Sequence, residues 1–551
     1  MHLIRILLPL ALILAINACA KPTDDSSLAD RAKVLARGAE ISGANGLHFG
    51  PDGMLYVASV FGGEIVVLDP ETGTVLRRIR EGVNSPDDIA FLSDGSFYWT
   101  AILSGEVAGM RPDGTLVIAA QLTPGTNPIT SSPDDRLFVS QCFFDDKLYE
   151  VDPQGIEEPR LISDELGPQC GLNGMDWGPD GRLYGPRWFR GEVVSFDVDT
   201  HEMRDEAGAF QVPAAVKFDS KGRLHVLDTG AGTVVQLGPD ENSRKVVARF
   251  EPGLDNLAFD ADDRLFVSSF IDGSVDRVNA DGSHTRIAPA GLSHPGGLTL
   301  REAAGSDGAS RSEIVVADMQ SIRGFDATTG DPTFVDRNVF GVSEMGSASN
   351  ISADGTNLIL TSTFDGTVKV WDPKTKRVLQ VFGGLAAPIS AIRYDDRIFV
   401  VEHGMGRVIA FGRLLQDRFE VVVSGLRNPT GLVDREGGLY VAEHETGRIL
   451  KIAQNGSPIS TIEVVADGLN APEGLAATER GFIVVEGETG HIVEVDIDGA
   501  MRTIATIPPG APAASPIVPP SSIFNGVAVG ADGSIYATGE AKRVVYRVMA
   551  P

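Results

Sequence analysis

The chain has 551 residues and a formal net charge of −28, with 75 acidic side chains against 47 basic ones. A surface this acidic argues against a polyanion-binding role and for a well-solvated exterior. Length alone suggests roughly three or four ordinary domains, but internal repetition overrules that prior.

The N-terminal segment has to be read before the fold. Arg5 is the only charged side chain ahead of Cys19, and residues 6–16 form an apolar run. That is a charged region followed by a hydrophobic one too short to span a bilayer as a mature helix. It ends in Ile16-Asn17-Ala18-Cys19, which resembles the bacterial lipobox, where the cysteine is acylated and becomes the mature N-terminus. The resemblance implies that residues 1–19 are a lipoprotein signal peptide and that Cys19 is lipidated. Ala20, rather than Asp, follows the cysteine. This implies a bacterial cell-envelope protein on the outer membrane facing the periplasm, touching the membrane only through its anchor. Residues 20–31 are expected to be a polar tether. Cys142 and Cys170 are the remaining cysteines, and an oxidising envelope permits, without demanding, a disulfide between them.

Beyond the tether one unit recurs: a short apolar strand, an Asp-Gly or similar turn, an apolar strand, a Gly-x-Val-type strand, another turn and a fourth strand. The first copy runs Asn45-Gly46-Leu47-His48-Phe49, Pro51-Asp52-Gly53, Met54-Leu55-Tyr56-Val57-Ala58, then residues 63–69. Related copies start near Asp87, Asn127, Asn173, Ala214 and Asp255, then near Gly296, Asn350, Ile389, Thr430, Glu473 and Asn525. A spacing of about 40 residues belongs to propeller blades rather than helical arrays. Asp-Gly between period-2 apolar runs is hairpin chemistry, because glycine accepts the positive φ of a tight turn.

A single ring of twelve blades is disfavoured, since propellers hold about 4–8. The expected architecture is all-β: two tandem six-bladed β-propellers of four-stranded blades, over residues 32–280 and 281–551. Residues 32–38 read as a fourth strand with no blade in front of it, and the last copy stops after its third strand. If 32–38 closes the sixth blade, residues 283–288 are free to close the twelfth, and neither ring keeps an open edge. Residues 303–312 read as an exposed hairpin loop. Residues 508–522, rich in Pro, Ala and Ser, read as a surface loop near the second ring's mouth.

In a propeller the first strand of each blade lines the channel, and the loops entering it converge on one face. The entry positions of the first ring are Asn45, Asp87, Asn127, Asn173, Ala214 and Asp255. Five are oxygen donors and none is Lys or Arg; Asp88 and Asn256 add donors one residue later. Hard cations such as Ca²⁺ take about six to eight oxygen ligands, so Asn45, Asp87, Asn127, Asn173, Asp255 and Asn256 are the candidate metal ligands. The loops after the second strands bring Phe61, Phe143, Phe144, Trp188, Phe189 and Phe270 to the same face, with Arg187 and Arg190 beside them. Phe143, Arg187 and Trp188 are therefore candidate substrate contacts for a partly apolar small molecule. His48, on a channel strand, reads as a packed residue.

The segment Asn173-Gly174-Met175-Asp176-Trp177-Gly178-Pro179-Asp180-Gly181 and the segment Leu254-Asp255-Asn256-Leu257-Ala258-Phe259-Asp260 resemble the gluconolactonase, senescence-marker-protein and paraoxonase-like calcium propellers. The resemblance covers residues 40–280 best, and it implies that Asn127 lies near the substrate. It implies a divalent metal, Ca²⁺ above others, and hydrolysis of a lactone or ester, with Asp255 as general base and Asp87 as the second candidate. Two departures stand out. The family's first-blade Glu is matched only by Asn45, and its Asn-Asp-Gly by Asn127-Pro128-Ile129.

The second half has mixed entry positions, and its second-strand loops carry Glu402-His403, Glu443-His444-Glu445, Glu486 and Glu488. Glu402, His403, Glu443 and His444 form a candidate second site for a transition metal or for acid–base work. These repeats also resemble NHL and streptogramin B lyase-like propellers, where an acidic residue after that strand is part of the fold. Two other functions compete with the hydrolase: a non-enzymatic envelope binding or assembly lipoprotein, and a lyase of the streptogramin B lyase type.

Overall fold

The computed structural model describes residues 25–167, 169–238, 243–304, 310–412, 415–510 and 524–549. Within them lie twelve four-stranded antiparallel sheets, numbered here in chain order. The fold is all-β and of the β-propeller type, with the one-turn helix Asp25–Ala29 and a few 3₁₀ turns as its only helical pieces among the described residues. None of these helices is long and apolar enough to cross a membrane. The signal peptide, Cys19 and most of 508–522 lie outside the described residues.

The repeat explains each sheet. In sheet one, strands Leu55–Ser59 and Glu64–Leu68 are buried along their whole length, whereas the outer strand Val75–Ile79 is exposed or half-buried except at Ile79. The inner strands are sandwiched between neighbouring sheets and so read as continuous apolar runs. The outer strand lies at the solvent edge of its sheet. The core is accordingly a series of layers between sheets, such as Ile65 and Val67 of sheet one against Ile89 and Trp99 of sheet two. Turns follow the Asp-Gly chemistry: Gly53 has φ +74°, and Asp52 Oδ1 accepts the Met54 amide at 3.1 Å. The first strand of sheet one packs against those of sheets two and six. That of sheet seven packs against those of sheets eight and twelve.

Closure differs from the sequence expectation. His284–Ala288 pairs with Ser274–Val278 and completes sheet six. Ala32–Ala36 pairs with Val544–Val548 and completes sheet twelve. Sheet six therefore runs past residue 280, and the strand at 32–36 belongs with the C-terminal sheets. The reason is local. Residues 279–283 make a tight turn, with the Asn279 amide on the Ser283 carbonyl at 2.7 Å and the Gly282 amide on that of Asn279 at 3.0 Å. Closing so short a loop costs little chain entropy, and that leaves the C-terminal edge to the N-terminal strand. The expected tether is also shorter than proposed, because Asp25–Ala29 is helical and Leu28 is buried. Strands Leu298–Ala304 and Ser310–Ala317 extend into the stretch expected to be a loop at 303–312, of which residues 305–309 are not described.

Two chain crossings join the two sets of six sheets side by side. Gly38 bridges Leu292 in parallel, and the Ala39 amide donates to the Leu292 carbonyl at 2.8 Å. A buried charge cluster ties them again. Asp272 of the sheet-six loop accepts from Arg323 at 2.9 Å and from Arg337 at 2.9 Å, both from sheet seven.

Candidate functional site

The entry residues owe their direction to a recurring backbone irregularity. The first strands of sheets one, two, three and six shift register between Ala44 and Leu47, Pro86 and Ile89, Thr126 and Ile129, and Leu254 and Leu257. Each shift contains the entry residue: Asn45, Asp87, Asn127 or Asp255. A bulge takes a residue out of the ladder and re-aims its side chain, here toward the mouth of the channel. Gly46 lets neighbouring bulges approach, since a Cβ there would sit 2.5 Å from the Asp88 Cα. In sheet four Asn173 precedes a two-residue strand, Asp176–Trp177, and is positioned by its amide on the Pro186 carbonyl at 3.0 Å.

Asn45, Asp87, Asn127, Asn173 and Asp255 all line one cavity of about 220 Å³. Ala214, the sixth entry position, is buried and brings no donor. Asn45 Nδ2 donates to Asp87 Oδ2 at 3.1 Å. Among the described residues, the side-chain amides of Asn127 and Asn173 and the carboxylate of Asp255 have no protein hydrogen-bond partner. These side chains open onto the cavity rather than being satisfied by the neighbouring blades. Among the described residues, no lysine or arginine lines it. Burial and the carboxylates of Asp255 and Asp88 push Asp87 well above the usual carboxylate range. Burial, with Asp88 second, pushes Asp255 up to about 8.

Asn256 does not reach the cavity. Its side chain turns to the other side of the strand, where Oδ1 accepts the Leu257 amide at 2.8 Å and Nδ2 donates to Asp88 Oδ1 at 3.2 Å. Asp88 also accepts the Ile89 amide at 2.9 Å, tying sheets two and six together beneath the cavity. Deeper still, Lys217 donates to the Met175 carbonyl at 3.2 Å and lies 3.9 Å from Asp176. His48 is packed as expected: burial and then Lys217 lower it to about 4, and its ring lies 5.3 Å from that of Phe91.

The walls are aromatic. Phe61, Phe143, Phe144, Trp188 and Phe270 line the cavity, and Phe189 packs beside Phe143 at 6.4 Å. Arg187 departs from the expected substrate-contacting role. It is buried within its own sheet, 3.4 Å from Glu192, and burial lowers its basicity. Cys142 and Cys170 are joined in a disulfide, bracing the loops that carry Phe143 and Asn173.

The roof of the cavity is what the sequence did not reveal. Met319, Gln320, Asn338, Val339, Phe340, Ser347 and Phe364, all from loops of sheets seven and eight, close it from the other half of the molecule. The loops at 319–320 and 364 follow the second strands of their sheets, as the aromatic-bearing loops of the first half do. Their facing the first half, however, is a tertiary fact.

The second-half candidates are tied down. Glu402 pairs with Arg407 and accepts the Ala386 amide at 3.0 Å. Glu443 accepts the Arg427 amide at 2.8 Å and the Thr446 hydroxyl at 2.6 Å. His403 Nδ1 lies 2.9 Å from the Pro429 carbonyl, and His444 is lowered by burial and by His403. These glutamates hold their own loops, the structural alternative recognised in the sequence.

The donor set of the cavity is chemically suited to a hard cation: two carboxylates and three amide oxygens, without sulfur or imidazole. It depends on the amides, because no three His, Cys, Asp or Glu side chains gather into a metal-holding group among the described residues.

No family model and no curated protein matches the chain. Among solved structures, it is similar to a streptogramin B lyase at 13% identity, over 52% of this chain and 94% of that one, with TM-score 0.36. A gluconolactonase from Xanthomonas campestris is 16% identical over 43% and 86%, also with TM-score 0.36. The extracellular domain of a putative hybrid two-component system from B. thetaiotaomicron is 10% identical over 94% and 82%, with TM-score 0.32. Likeness at this level concerns the fold and carries nothing about activity.

Proposed function

We propose that sheets one to six and seven to twelve form two tandem six-bladed propellers in an envelope lipoprotein anchored through Cys19. In this reading the first is a divalent-metal-dependent hydrolase of lactones or esters. The observation that carries the activity is the convergence of five oxygen-bearing side chains, three of them unpartnered, on one aromatic-walled cavity. Two carboxylates at the cavity, each held above its usual range by burial and by neighbouring acidic groups, with no cationic side chain in the lining among the described residues, favour a bound cation as the compensating charge.

Ca²⁺ is the cation of choice for such oxygen donors, with Asn45, Asp87, Asn127, Asn173 and Asp255 to hold it. When bound, it supplies Lewis acidity toward a carbonyl oxygen. The protein does the rest. The aromatic walls exclude bulk water and seat the apolar part of the substrate. The Asn127 amide is free to donate to a substrate oxygen. Asp255, partly open to the cavity, takes the proton of an attacking water. Metal analysis of the purified soluble chain, followed by a lactone and aryl-ester screen with and without chelator, tests this. Wild-type activity that survives complete metal removal would overturn it.

A further inference from the structure

The cavity has a floor from one half of the molecule and a roof from the other, and the roof is built as carefully as the floor. Trp188 Nε1 donates to the Phe340 carbonyl at 3.3 Å, and the Phe340 ring stands edge-on to Phe143 at 5.7 Å. Behind Phe340, Asn338 Nδ2 donates to Gln320 Oε1 at 3.0 Å and Gln320 Nε2 to Ser347 Oγ at 3.1 Å. Asn338 Oδ1 accepts the Gly346 amide at 3.2 Å. This amide chain fixes the two roof loops against each other before anything binds. The roof is also held over the floor, by the side-by-side chain crossings at Gly38 and Leu292 and by Asp272 between Arg323 and Arg337.

Phe340 is 42% exposed and Phe364 50%, while Phe144 on the floor side is 56% exposed. Three large rings in water around one cavity mouth form an apolar collar contributed by both halves. Exposed aromatics grouped around a concavity mark a binding surface rather than a packing accident.

We infer that the second six sheets are the specificity half of the same site. Their loops, with Phe340 and Phe364 foremost, receive the apolar portion of the ligand, while the reacting group lies on the Asn–Asp floor. The ligand class is a small ester or lactone bearing an apolar chain or ring. This rests on the hydrolase reading for its reaction but not for its binding geometry. It explains why the Glu-His loops of the second half are structural: what that half contributes is the sheet-seven and sheet-eight edge presented to its neighbour.

The test compares Phe340→Ala and Phe364→Ala with Phe419→Ala, an exposed ring on an outer strand of sheet nine. Two readouts are used. In the first, γ-butyrolactone and δ-dodecanolactone are hydrolysed by each variant. Loss of one apolar contact is expected to lower kcat/KM for the long-chain lactone about tenfold, through KM, with γ-butyrolactone and the Phe419→Ala variant unchanged. In the second, 1-naphthol binding is followed by its own emission, which needs no turnover; both roof variants are expected to weaken it about tenfold. If no lactone is hydrolysed but the roof variants still lose 1-naphthol, the reaction reading fails and the roof assignment stands. Equal 1-naphthol affinity in wild type and both folded roof variants overturns the assignment. So does a loss of kcat/KM that is the same for both lactones.

Discussion

The two sets of six sheets share a blade but spend their polar entry residues differently. In the first set, Asn127, Asn173 and Asp255 face a cavity with no protein partner for their side chains among the described residues. In the second set the corresponding groups are consumed. Asn350 donates to the Ile389 carbonyl at 2.9 Å, Thr430 to that of Pro472 at 2.8 Å, and Glu473 accepts both amides of Asn525 at 2.6 and 2.7 Å. Residue type alone does not make a site: an Asn or Glu at a channel mouth is structural when the neighbouring blade satisfies it, and available when no blade does. Closure differs too. Sheet six is completed by a local hairpin, and sheet twelve by a strand more than 500 residues away in sequence.

The largest expected effect breaks the second closure. Deleting the chain through residue 37 leaves Val544–Val548 as a bare edge. It should lower the thermal midpoint by roughly 10 °C or more, an effect of about 3 kcal/mol or greater. A calorimetric scan that matches wild type would show the strand to be dispensable.

Next comes the contrast in chemistry. Asp255→Asn should cut lactone or ester hydrolysis roughly 10²–10³-fold with the fold intact. Glu443→Gln should leave the rate unchanged and cost only about 1–2 kcal/mol, through its loop contacts. Rates and urea midpoints on both variants check this, and equal rate losses would erase the distinction between the halves.

The third concerns the brace on the floor. Cys142→Ser with Cys170→Ser opens a loop of 28 residues' separation and should cost about 3 kcal/mol by chain entropy. Denaturant unfolding of the oxidised and reduced protein should show the same difference.

The smallest is a pH effect in the second half. Burial pushes Glu473 up to about 8, so the folded state keeps a proton that the unfolded chain releases at its ordinary lower pKa. Its contribution is full below about pH 4.5 and is lost as pH rises toward 8. Glu473→Gln cannot ionise and should remove that decline. Stability measured from pH 5 to 9 should flatten in the variant, whereas an unchanged slope would place the titration elsewhere.

Much of this was legible in the chain. The repeat with its Asp-Gly turns determined the number and type of blades, because hairpin chemistry is local and a residue at positive φ, most often glycine, is needed at each tight turn. The five entry donors were legible because a repeat carries the same backbone position to the same place in every blade. Contacts set by neighbours were not legible. Asn256 and Asp255 are adjacent and chemically alike, yet the bulge at Leu254–Leu257 sends one to Asp88 and the other to the cavity. Arg187 sits beside Trp188 but turns back into its own sheet toward Glu192. Which strand closes which sheet depended on a competition between a five-residue turn and a chain-long return, decided by loop entropy. The roof depended on how the two halves meet, a contact that the repeat within each half does not encode. Local chemistry thus determined the blades and their polar mouths; only packing decided which polar side chains the neighbouring blades satisfy and which open onto a cavity.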